Sequence, residues 1–372
     1  MGSPTGRAEG AEEVPATGPA LVVRDLSVVA RAQGKTRPLL RGIDLQLEPG
    51  EILGVVGESG SGKSTLCRAL ARILPPALSV DGGTATLGEV DLLRQPAAAI
   101  HRLRAGGVGM IFQEPYAALN PVMRVGDQMI EAVRARRPLS QTEARRETIE
   151  LLEHLGLPEA ERRLSAYPHE FSGGQCQRLA TAVALAGDPS VLFADEPTSA
   201  LDVTTQAQIL DLLKALARER RMGVVLVSHN YAVVAQLCRR TMVMYAGSVV
   251  EEGPTAQLLS EPRHPYTAAL IAALPQVDRR LPTLAVIPGR PPVPGETREG
   301  CPFQPRCKHA EEQCARGAIP LAAVAPGHLS ACKRVEEIWP PRRRTPVGSP
   351  GSCGGANRPL EPKVGHPTRA PE

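Results

Sequence analysis

Short apolar runs rich in β-branched residues alternate with segments of helical periodicity from about residue 20 to residue 260. The apolar runs predict strand regions at residues 21–29, 51–57, 108–112, 190–195, 223–229 and 241–253. Between these runs, apolar residues recur every three or four positions, which predicts helices in KSTLCRALARIL, QCQRLATAVAL and VTTQAQILDLLKALARERR. Strands that alternate with helices are typical of an α/β domain.

The two ends of the chain lack this pattern. Residues 1–19 carry Glu9, Glu12 and Glu13 in place of a basic and then apolar start, so we expect a disordered leader and no signal peptide. The proline-rich stretch IPGRPPVPGETREG cannot form a helix or a central strand. We therefore predict an α/β domain over residues 20–260, a C-terminal extension over residues 261–336 and a disordered tail over residues 337–372.

Length and charge narrow the function classes only slightly. The 372 residues exceed one ordinary hydrophobic core, which agrees with a main domain and an appendage. The net charge of +4 and the absence of interleaved basic and aromatic residues give no indication of nucleic-acid binding. No apolar run reaches the ~18 residues of a membrane span, so we expect membrane association through a partner.

The segment GESGSGKST fits the phosphate-binding pattern G-x-x-x-x-G-K-[ST] between a predicted strand and a predicted helix. Its glycines allow successive N–H groups to curl around phosphate oxygens, Lys63 would neutralise the β- and γ-phosphates, and Ser64 would bind Mg²⁺. The predicted ATP-binding residues here are Gly57, Glu58, Ser59, Gly60, Ser61, Gly62, Lys63, Ser64 and Thr65.

The segment VLFADEP places two acids after an apolar strand. Asp195 is predicted to hold Mg²⁺ and Glu196 to polarise the attacking water as general base. With the phosphate loop upstream, this pair is a candidate catalytic centre rather than a solvated turn.

FSGGQ, at residues 171–175, resembles the LSGGQ signature of the ATP-binding cassette (ABC) ATPases. Gln113 resembles the Q-loop glutamine, and His229 the switch histidine. The resemblance implies that Gln113 binds ATP and Mg²⁺, and that His229 acts with Lys63 and Glu196 in catalysis. The implied signature residues are Ser172, Gly173, Gly174 and Gln175, and the implied D-loop residues are Ser199, Ala200, Leu201 and Asp202.

The family implies a P-loop ATPase fold with a RecA-like core, an antiparallel β subdomain and a helical signature subdomain. It also implies that two ATPase subunits, identical or homologous, pack head to tail, with each signature closing over the ATP of the partner. Because the chain carries one phosphate loop and one signature, this arrangement requires a second subunit.

Segments such as YPHEFSGG, HPYTAALIAALP and CPFQPRC are similar to the ATP-binding subunits of dipeptide, oligopeptide and nickel permeases. That resemblance implies an importer with two membrane permeases and an extracytoplasmic binding protein, and a peripheral subunit on the cytoplasmic face of the membrane. The region 114–128 would dock the permease. Uptake of peptides is the first hypothesis, uptake of nickel or another small solute the second, and a soluble ABC ATPase a remote third.

Two positions depart from the family pattern. An aromatic residue usually stacks on adenine after the first strand, where this chain has Ala30 followed by Arg31. Stacking is then either taken over by the Arg31 guanidinium or lost. The residue after the signature is commonly basic, and here it is Cys176, which we expect to be a small helix residue, as we expect inert burial for Cys67 and Cys238.

Four cysteines lie close together near the end of the chain: Cys301, Cys307, Cys314 and Cys332. In a chain without a signal peptide, such clusters are more often metal or redox groups than disulfides. Their spacing lacks the short C-x₂₋₄-C pairs that are typical of a zinc site. The spacing alone is compatible with an iron–sulfur cluster and equally with the absence of any metal. The resemblance implies a four-iron, four-sulfur cluster that stabilises the extension. Cys353 is assigned to the tail.

Overall fold

The computed structural model describes residues 20–32, 34–104, 107–136, 138–199, 201–274, 286–293 and 299–340. Its strands are β1 (Leu21–Ala32), β2 (Lys35–Leu47), β3 (Ile52–Val56), β4 (Leu78–Leu87), β5 (Val90–Asp91), β6 (Val108–Ile111), β7 (Val191–Asp195), β8 (Gly223–Val227), β9 (Arg240–Tyr245), β10 (Ser248–Pro254), β11 (Ala322–Ala325) and β12 (His328–Ser330). Its helices are α1 (Lys63–Leu70), α2 (Ala97–Arg104), α3 (Val125–Arg136), α4 (Gln141–His154), α5 (Ala160–Arg163), α6 (Gly173–Ala186), α7 (Val203–Glu219), α8 (Tyr231–Leu237), α9 (Thr255–Ser260), α10 (Pro265–Ala272) and α11 (Val335–Ile338).

The main sheet has eight strands in the order β11-β12-β10-β9-β3-β8-β7-β6. The strands from β9 to β6 are parallel, and every residue of β3, β7 and β8 is buried. Burial on both faces explains why these strands are continuous apolar runs in the sequence. Loops at the carboxyl ends of parallel strands meet at one edge of the sheet, which is where ligands bind in open α/β folds.

A second sheet is antiparallel, in the order β2-β1-β4-β5. Its inward side chains share a core with α1 and with one face of the main sheet, and this core includes Leu26, Ile43, Val55 and Leu66. A helical layer of α3 to α6 forms the third part, and α4 and α6 both begin with a capping box, at Ser140 and Ser172. The predicted fold class, with its β and helical subdomains, is confirmed.

The C-terminal extension joins the main sheet rather than hanging from it. β12 pairs with β10 through Glu251 opposite Ser330 and Glu252 opposite Leu329. Phe303 of the extension is 2% exposed and packs edge to face against Tyr245 of β9, with ring centroids 5.3 Å apart. Aromatic pairs in this geometry stabilise the fold beyond the contribution of the apolar area that they bury. The extension and the ATPase core therefore share both a sheet and a hydrophobic core.

The predicted boundaries of the leader, the extension and the tail stay predictions. Residues 1–19 and 341–372, with Cys353, lie outside the described residues. Within the described part of the chain, no helix is both long enough and apolar enough to span a membrane.

Candidate functional site

The phosphate loop connects β3 to α1, and its glycines are required by space as well as by backbone angle. Gly57 has φ +148°, and a Cβ there would lie 2.2 Å from the carbonyl oxygen of Met244. Gly62 has φ +105° and is the N-cap of α1, which begins at Lys63. The loop therefore ends at a helix N-terminus, where N–H groups and the helix dipole favour an anion.

Lys63 is nearly buried and is held by the loop itself. Its Nζ donates to the carbonyl oxygens of Gly57 at 2.8 Å and Glu58 at 2.9 Å, and lies 3.4 Å from Ser61 Oγ. Burial lowers the pKa of Lys63, and the nearby carboxylates, Glu196 first, act in the opposite direction. The side chain is thus positioned before any phosphate arrives.

Asp195, the last residue of β7, lies beside the start of α1. Its Oδ1 accepts a hydrogen bond from Ser64 Oγ at 3.0 Å. Its Oδ2 is buried and has no hydrogen-bond partner among the described residues. Burial raises the pKa of Asp195. A buried carboxylate oxygen without a partner beside a serine hydroxyl is the oxygen-donor arrangement that Mg²⁺ takes when phosphates complete its shell.

Glu196 follows Asp195 with φ +50°, a left-handed backbone conformation that is unusual outside glycine. Its Oε2 lies 3.2 Å from Gln113 Nε2 and 3.2 Å from His229 Nδ1. A strained backbone conformation at a residue that is held by several neighbouring elements, as at Glu196, is typical of functional sites. The structure thus joins the predicted Q-loop, catalytic acid and switch histidine.

These residues surround one cavity of about 440 Å³. Seven of the nine predicted loop residues line it, while Glu58 and Ser61 do not; Ser61 is only 3% exposed. The cavity is lined by Pro38, Leu39, Arg41, Gly57, Ser59, Gly60, Gly62, Lys63, Ser64, Thr65, Gln113, Glu196, His229, Ala246, Gly247, Pro292 and Val293. Its volume is in the range of small-ligand sites.

The predicted signature lies at the N-terminus of α6. Ser172 is the N-cap, its N–H donates to Gln175 Oε1 at 3.1 Å, and Arg163 Nη1 donates to the same oxygen at 3.1 Å. A Cβ added at Gly173 would meet nothing within 4 Å. None of the described signature residues lines the cavity of the phosphate loop. The signature is therefore an open helix N-terminus outside the chain's own phosphate cavity.

The predicted D-loop precedes α7. Asp202 is the N-cap of this helix and accepts a hydrogen bond from Thr205 N at 3.0 Å. Ser199 is exposed, Leu201 is half-buried, and Ala200 lies outside the described residues. The structure thus gives Asp202 a helix-capping role that the sequence pattern did not indicate.

Comparisons with known proteins agree with this geometry. A family profile described as ABC transporter matches residues 40–199, and one described as oligopeptide/dipeptide transporter, C-terminal region, matches residues 250–314. The chain is 43% identical to the oligopeptide transport ATP-binding protein OppD of Escherichia coli over 319 residues, which cover 86% of this chain and 94% of OppD. It belongs to the ATP-binding subunits of the peptide-permease family of ABC transporters.

Solved structures show the same fold. The dimeric MJ0796 cassette bound to ADP and Pi aligns with a TM-score of 0.58 at 27% identity, over 63% of this chain and 98% of the cassette. CbiO1 of Clostridium perfringens aligns with a TM-score of 0.55 at 26% identity, over 66% and 92% of the two chains. The chain is an ABC ATPase with an additional C-terminal segment.

The interpretation of Arg31 as a replacement for the adenine-stacking aromatic residue is not supported. Arg31 is 65% exposed, donates from Nε to Ser79 Oγ at 3.2 Å, and forms an ion pair with Asp81 at 3.4 Å. Neither Ala30 nor Arg31 is among the described residues that line the cavity. The cavity lining includes the apolar residues Pro38, Leu39, Pro292 and Val293, of which Pro292 and Val293 belong to the proline-rich stretch before the cysteines. The sequence pattern did not indicate a place for these residues in the ABC site.

The four cysteines of the extension line one small cavity of about 20 Å³. Burial raises the pKa of Cys301 to about 11 and also raises those of Cys307 and Cys332. Among the described residues, no group of three or more His, Cys, Asp or Glu side chains is arranged to hold a metal ion. The predicted iron–sulfur cluster is therefore without support from the ligand geometry, although its four candidate ligands face a common space.

The remaining cysteines agree with the sequence interpretation. Cys67 and Cys176 are fully buried, and Cys238 is 4% exposed. Burial raises the pKa of each thiol, and that of Cys238 to about 12. These three thiols are packing residues of the ABC ATPase rather than reactive groups.

Proposed function

We propose that the chain binds and hydrolyses ATP to drive the uptake of di- or oligopeptides through a bacterial or archaeal ABC importer. The observation that carries the ATPase function is the meeting of Lys63, Ser64, Gln113, Glu196 and His229 in one cavity. The peptide cargo rests on the similarity to OppD and on the match of the C-terminal segment to oligopeptide and dipeptide transporters. Nickel or another small solute is the alternative cargo.

In this proposal the phosphates of ATP lie across the loop, where Lys63 neutralises charge on the β- and γ-phosphates. Ser64, Asp195 and Gln113 would hold Mg²⁺, which when bound neutralises the charge that develops on the phosphate oxygens. The unpartnered Oδ2 of Asp195 supports this assignment because a buried anionic oxygen without a partner is costly.

Glu196 is the proposed general base. Gln113 and His229 both contact its Oε2, so Oε1 is the oxygen that would accept the proton of the attacking water. The water oxygen attacks the γ-phosphorus, the bond to the β–γ bridging oxygen breaks, and ADP and phosphate leave. His229, whose side chain is 68% exposed and lies 3.2 Å from Glu196, would contact the γ-phosphate in this proposal.

The nucleotide base would lie against apolar residues that line the cavity, namely Pro38, Leu39, Pro292 and Val293. Val293 is 54% exposed, so part of its surface is available to a ligand. In this proposal the linker of the C-terminal segment replaces the adenine platform that is missing at Ala30.

The signature residues Ser172, Gly173, Gly174 and Gln175 would bind the γ-phosphate of the ATP held by a second ATPase subunit, identical or homologous. Their position outside the chain's own cavity and the open N-terminus of α6 support this role. The D-loop residues Ser199, Ala200, Leu201 and Asp202 would lie at the same interface.

Two membrane permeases and an extracytoplasmic binding protein would complete the importer, with this subunit on the cytoplasmic face of the membrane. The segment from residue 114 to residue 128 is the proposed permease contact. Tyr116 and Val122 are 54% and 79% exposed there, which supports an interaction surface.

We further propose that Cys301, Cys307, Cys314 and Cys332 hold a four-iron, four-sulfur cluster. Such a cluster, when bound, would link four chain positions and stabilise the segment. The supporting observation is that the four cysteines line one cavity. Anaerobic purification with iron and visible-absorbance assays tests this; colourless, iron-free protein after reconstitution would refute it.

The Glu196→Gln variant tests the ATPase proposal. We expect ATP affinity close to that of the unaltered chain and a turnover about 10² to 10⁴ times slower, because the amide cannot accept the proton of the water. Glu153→Gln, an exposed position on α4, is the matched control and should be neutral. Undiminished turnover of Glu196→Gln would contradict the role of Glu196.

The cargo requires a separate experiment. The importer would be purified from native membranes through this subunit, and its binding protein identified and titrated with dipeptides, longer peptides and Ni²⁺. Binding of peptides is the expected result, and binding of Ni²⁺ alone would assign the importer to the alternative cargo.

A further inference from the structure

Arg306 is a buried cation in the segment between Cys301 and Cys307, and its side chain is 5% exposed. Its guanidinium contacts both carboxylate oxygens of Glu58: Nη1 donates to Oε2 at 2.6 Å and Nη2 to Oε1 at 3.0 Å. This is a bidentate pair, the strongest geometry for an arginine and a carboxylate. It joins the cysteine-bearing segment directly to the phosphate loop across 248 positions of sequence.

The rest of the guanidinium is also occupied. Nε donates to the carbonyl oxygen of Pro288 at 2.8 Å, Nη2 to that of Ile287 at 3.4 Å, and Nη1 to Tyr245 Oη at 3.3 Å. Arg306 therefore contacts the proline-rich stretch that contains Pro292 and Val293 as well as the phosphate loop. A side chain with this many partners is geometrically fixed.

Glu58 is held on three sides. Its N–H donates to Tyr266 Oη at 2.8 Å, its carbonyl oxygen accepts from Lys63 Nζ at 2.9 Å, and its carboxylate pairs with Arg306. The contacts with Tyr266 and Arg306 both come from beyond residue 260. The segment C-terminal to the cassette thus constrains the backbone that in turn holds Lys63.

The charge of Glu58 gives this pair a second consequence. A carboxylate behind an anion-binding loop repels phosphates, and more strongly in a partly buried site than in water. Arg306 neutralises that charge through its contacts with both carboxylate oxygens, and neither Glu58 nor Arg306 is among the described cavity-lining residues. Because Glu58 belongs to the phosphate loop, a cation such as Arg306 must neutralise its carboxylate if the loop is to bind the phosphates strongly.

We propose that Arg306 is a positioning residue for ATP binding: it neutralises Glu58 and holds the phosphate loop in the conformation that receives the phosphates. The inference rests on the proposed ATPase function and extends it, because it makes the cysteine-bearing segment part of the nucleotide site. Arg306 acts through Glu58 and does not contact the nucleotide.

The test compares Arg306→Met, Glu58→Gln, their double variant and Arg306→Lys in the full chain. Dissociation constants for a non-hydrolysable ATP analogue are measured in equilibrium titrations, and KM and kcat in turnover assays. Arg316→Met is the matched control, because Arg316 lies in the same C-terminal extension. Its side chain is 76% exposed and pairs with Glu312 on the surface.

We expect Arg306→Met to weaken binding of the analogue and to raise KM by about tenfold or more, with a smaller change in kcat, because an unpaired carboxylate is left behind the loop. The double variant should recover affinity close to that of Glu58→Gln, since no unpaired charge remains. The affinity of Arg306→Lys should be intermediate, because lysine keeps the positive charge but cannot form the bidentate contact with the carboxylate. Arg316→Met should be neutral.

Two results would overturn the inference. One is an unchanged affinity in Arg306→Met. The other is an equal loss in Arg306→Met and the double variant, which would mean that Arg306 acts through the fold of the segment and not through Glu58. If Arg306→Met does not fold, the comparison of the double variant with Glu58→Gln decides between these alternatives. Failure of the ATPase function itself would be seen separately, as an absence of turnover in the unaltered chain.

Discussion

The buried carboxylate of Glu251 connects the ATPase core to the C-terminal segment and can be tested by a single substitution. Glu251 and His328 are both fully buried, and His328 Nε2 lies 2.7 Å from Glu251 Oε1. The same carboxylate accepts hydrogen bonds from the backbone N–H groups of Arg263 at 2.5 Å and His264 at 2.9 Å. Three nitrogen atoms, two of them backbone N–H donors, thus converge on two oxygen atoms, and the resulting contacts join β10, the chain before α10, and β12.

Replacement of Glu251 by glutamine keeps the size of the side chain but turns one oxygen into a donor. In either orientation of the amide, its NH2 group faces the backbone N–H of Arg263 or that of His264, so at least one buried hydrogen bond is lost. A lost partner in a buried charge-assisted network costs on the order of 3 kcal/mol. For a folded unit of this size, that loss lowers the melting temperature by roughly 4–6 °C.

The assay is thermal and urea unfolding of Glu251→Gln, with Glu261→Gln as control. Glu261 is 50% exposed and pairs with Arg263 at 3.2 Å, so its substitution should cost less than about 1 kcal/mol. Melting of Glu251→Gln within about a degree of Glu261→Gln would refute the reasoning, because it would mean that the buried network contributes nothing to stability.

Three further predictions concern the cavity and the thiols. Val293→Asp should raise KM for ATP several-fold by placing an anion among the apolar residues proposed to contact the base, whereas Val286→Asp, at an 83% exposed position outside the cavity, should not; equal effects would contradict the proposed base site. Because burial raises the pKa of Asp195, the Mg²⁺ concentration for half-maximal turnover should increase at acidic pH, and at a higher pH than for an ordinary carboxyl; a requirement that stays constant down to the pH at which the protein unfolds would contradict the assignment of Asp195 as a ligand. The pKa of Cys301 is raised from 9.0 to about 11, so burial favours the thiol. Its contribution to the stability of reduced, iron-free protein should be fully present below about pH 9 and decline as the pH rises towards 11, which urea midpoints at pH 8 and 10.5 would show.

Strand–helix alternation predicted the strand regions of the parallel part of the main sheet, but not its strands β11 and β12, which come from the C-terminal extension. The sequence interpretation lacked the helices α3 and α4. α4 buries only Ala144, Thr148 and Leu152, so its periodicity is weak among many charged residues. α3 buries Val125, Gly126, Met129, Ile130 and Val133, a periodic stripe that the sequence contains and that could have predicted this helix.

The structure brings most of the predicted site residues to one cavity, and the role of each stays a prediction. Lys63, Gln113, Asp195, Glu196 and His229 all come from short local patterns whose residue types are dictated by phosphate and metal chemistry, which is why the sequence alone located them. The contacts that hold the phosphate loop come from Arg306 and Tyr266, which are more than 200 positions away from Glu58 in the sequence. In the sequence alone, an arginine reads as a surface residue and a tyrosine as a core residue. The arginine in CPFQPRC and the tyrosine in HPYTAAL were visible signals, but neither indicated a contact with the loop.

The amino-acid sequence by itself determined the ATPase class, because backbone angles at Gly57 and Gly62 and the chemistry of Lys63 and Asp195 permit few other residue types. Only the tertiary structure decided what lies behind and beside that site. A bidentate pair between Arg306 and Glu58 depends on how two segments 248 positions apart are packed together. Local preferences carry no information about such a distance, since it is set by the shared core and by the strand pairing of β10 with β12.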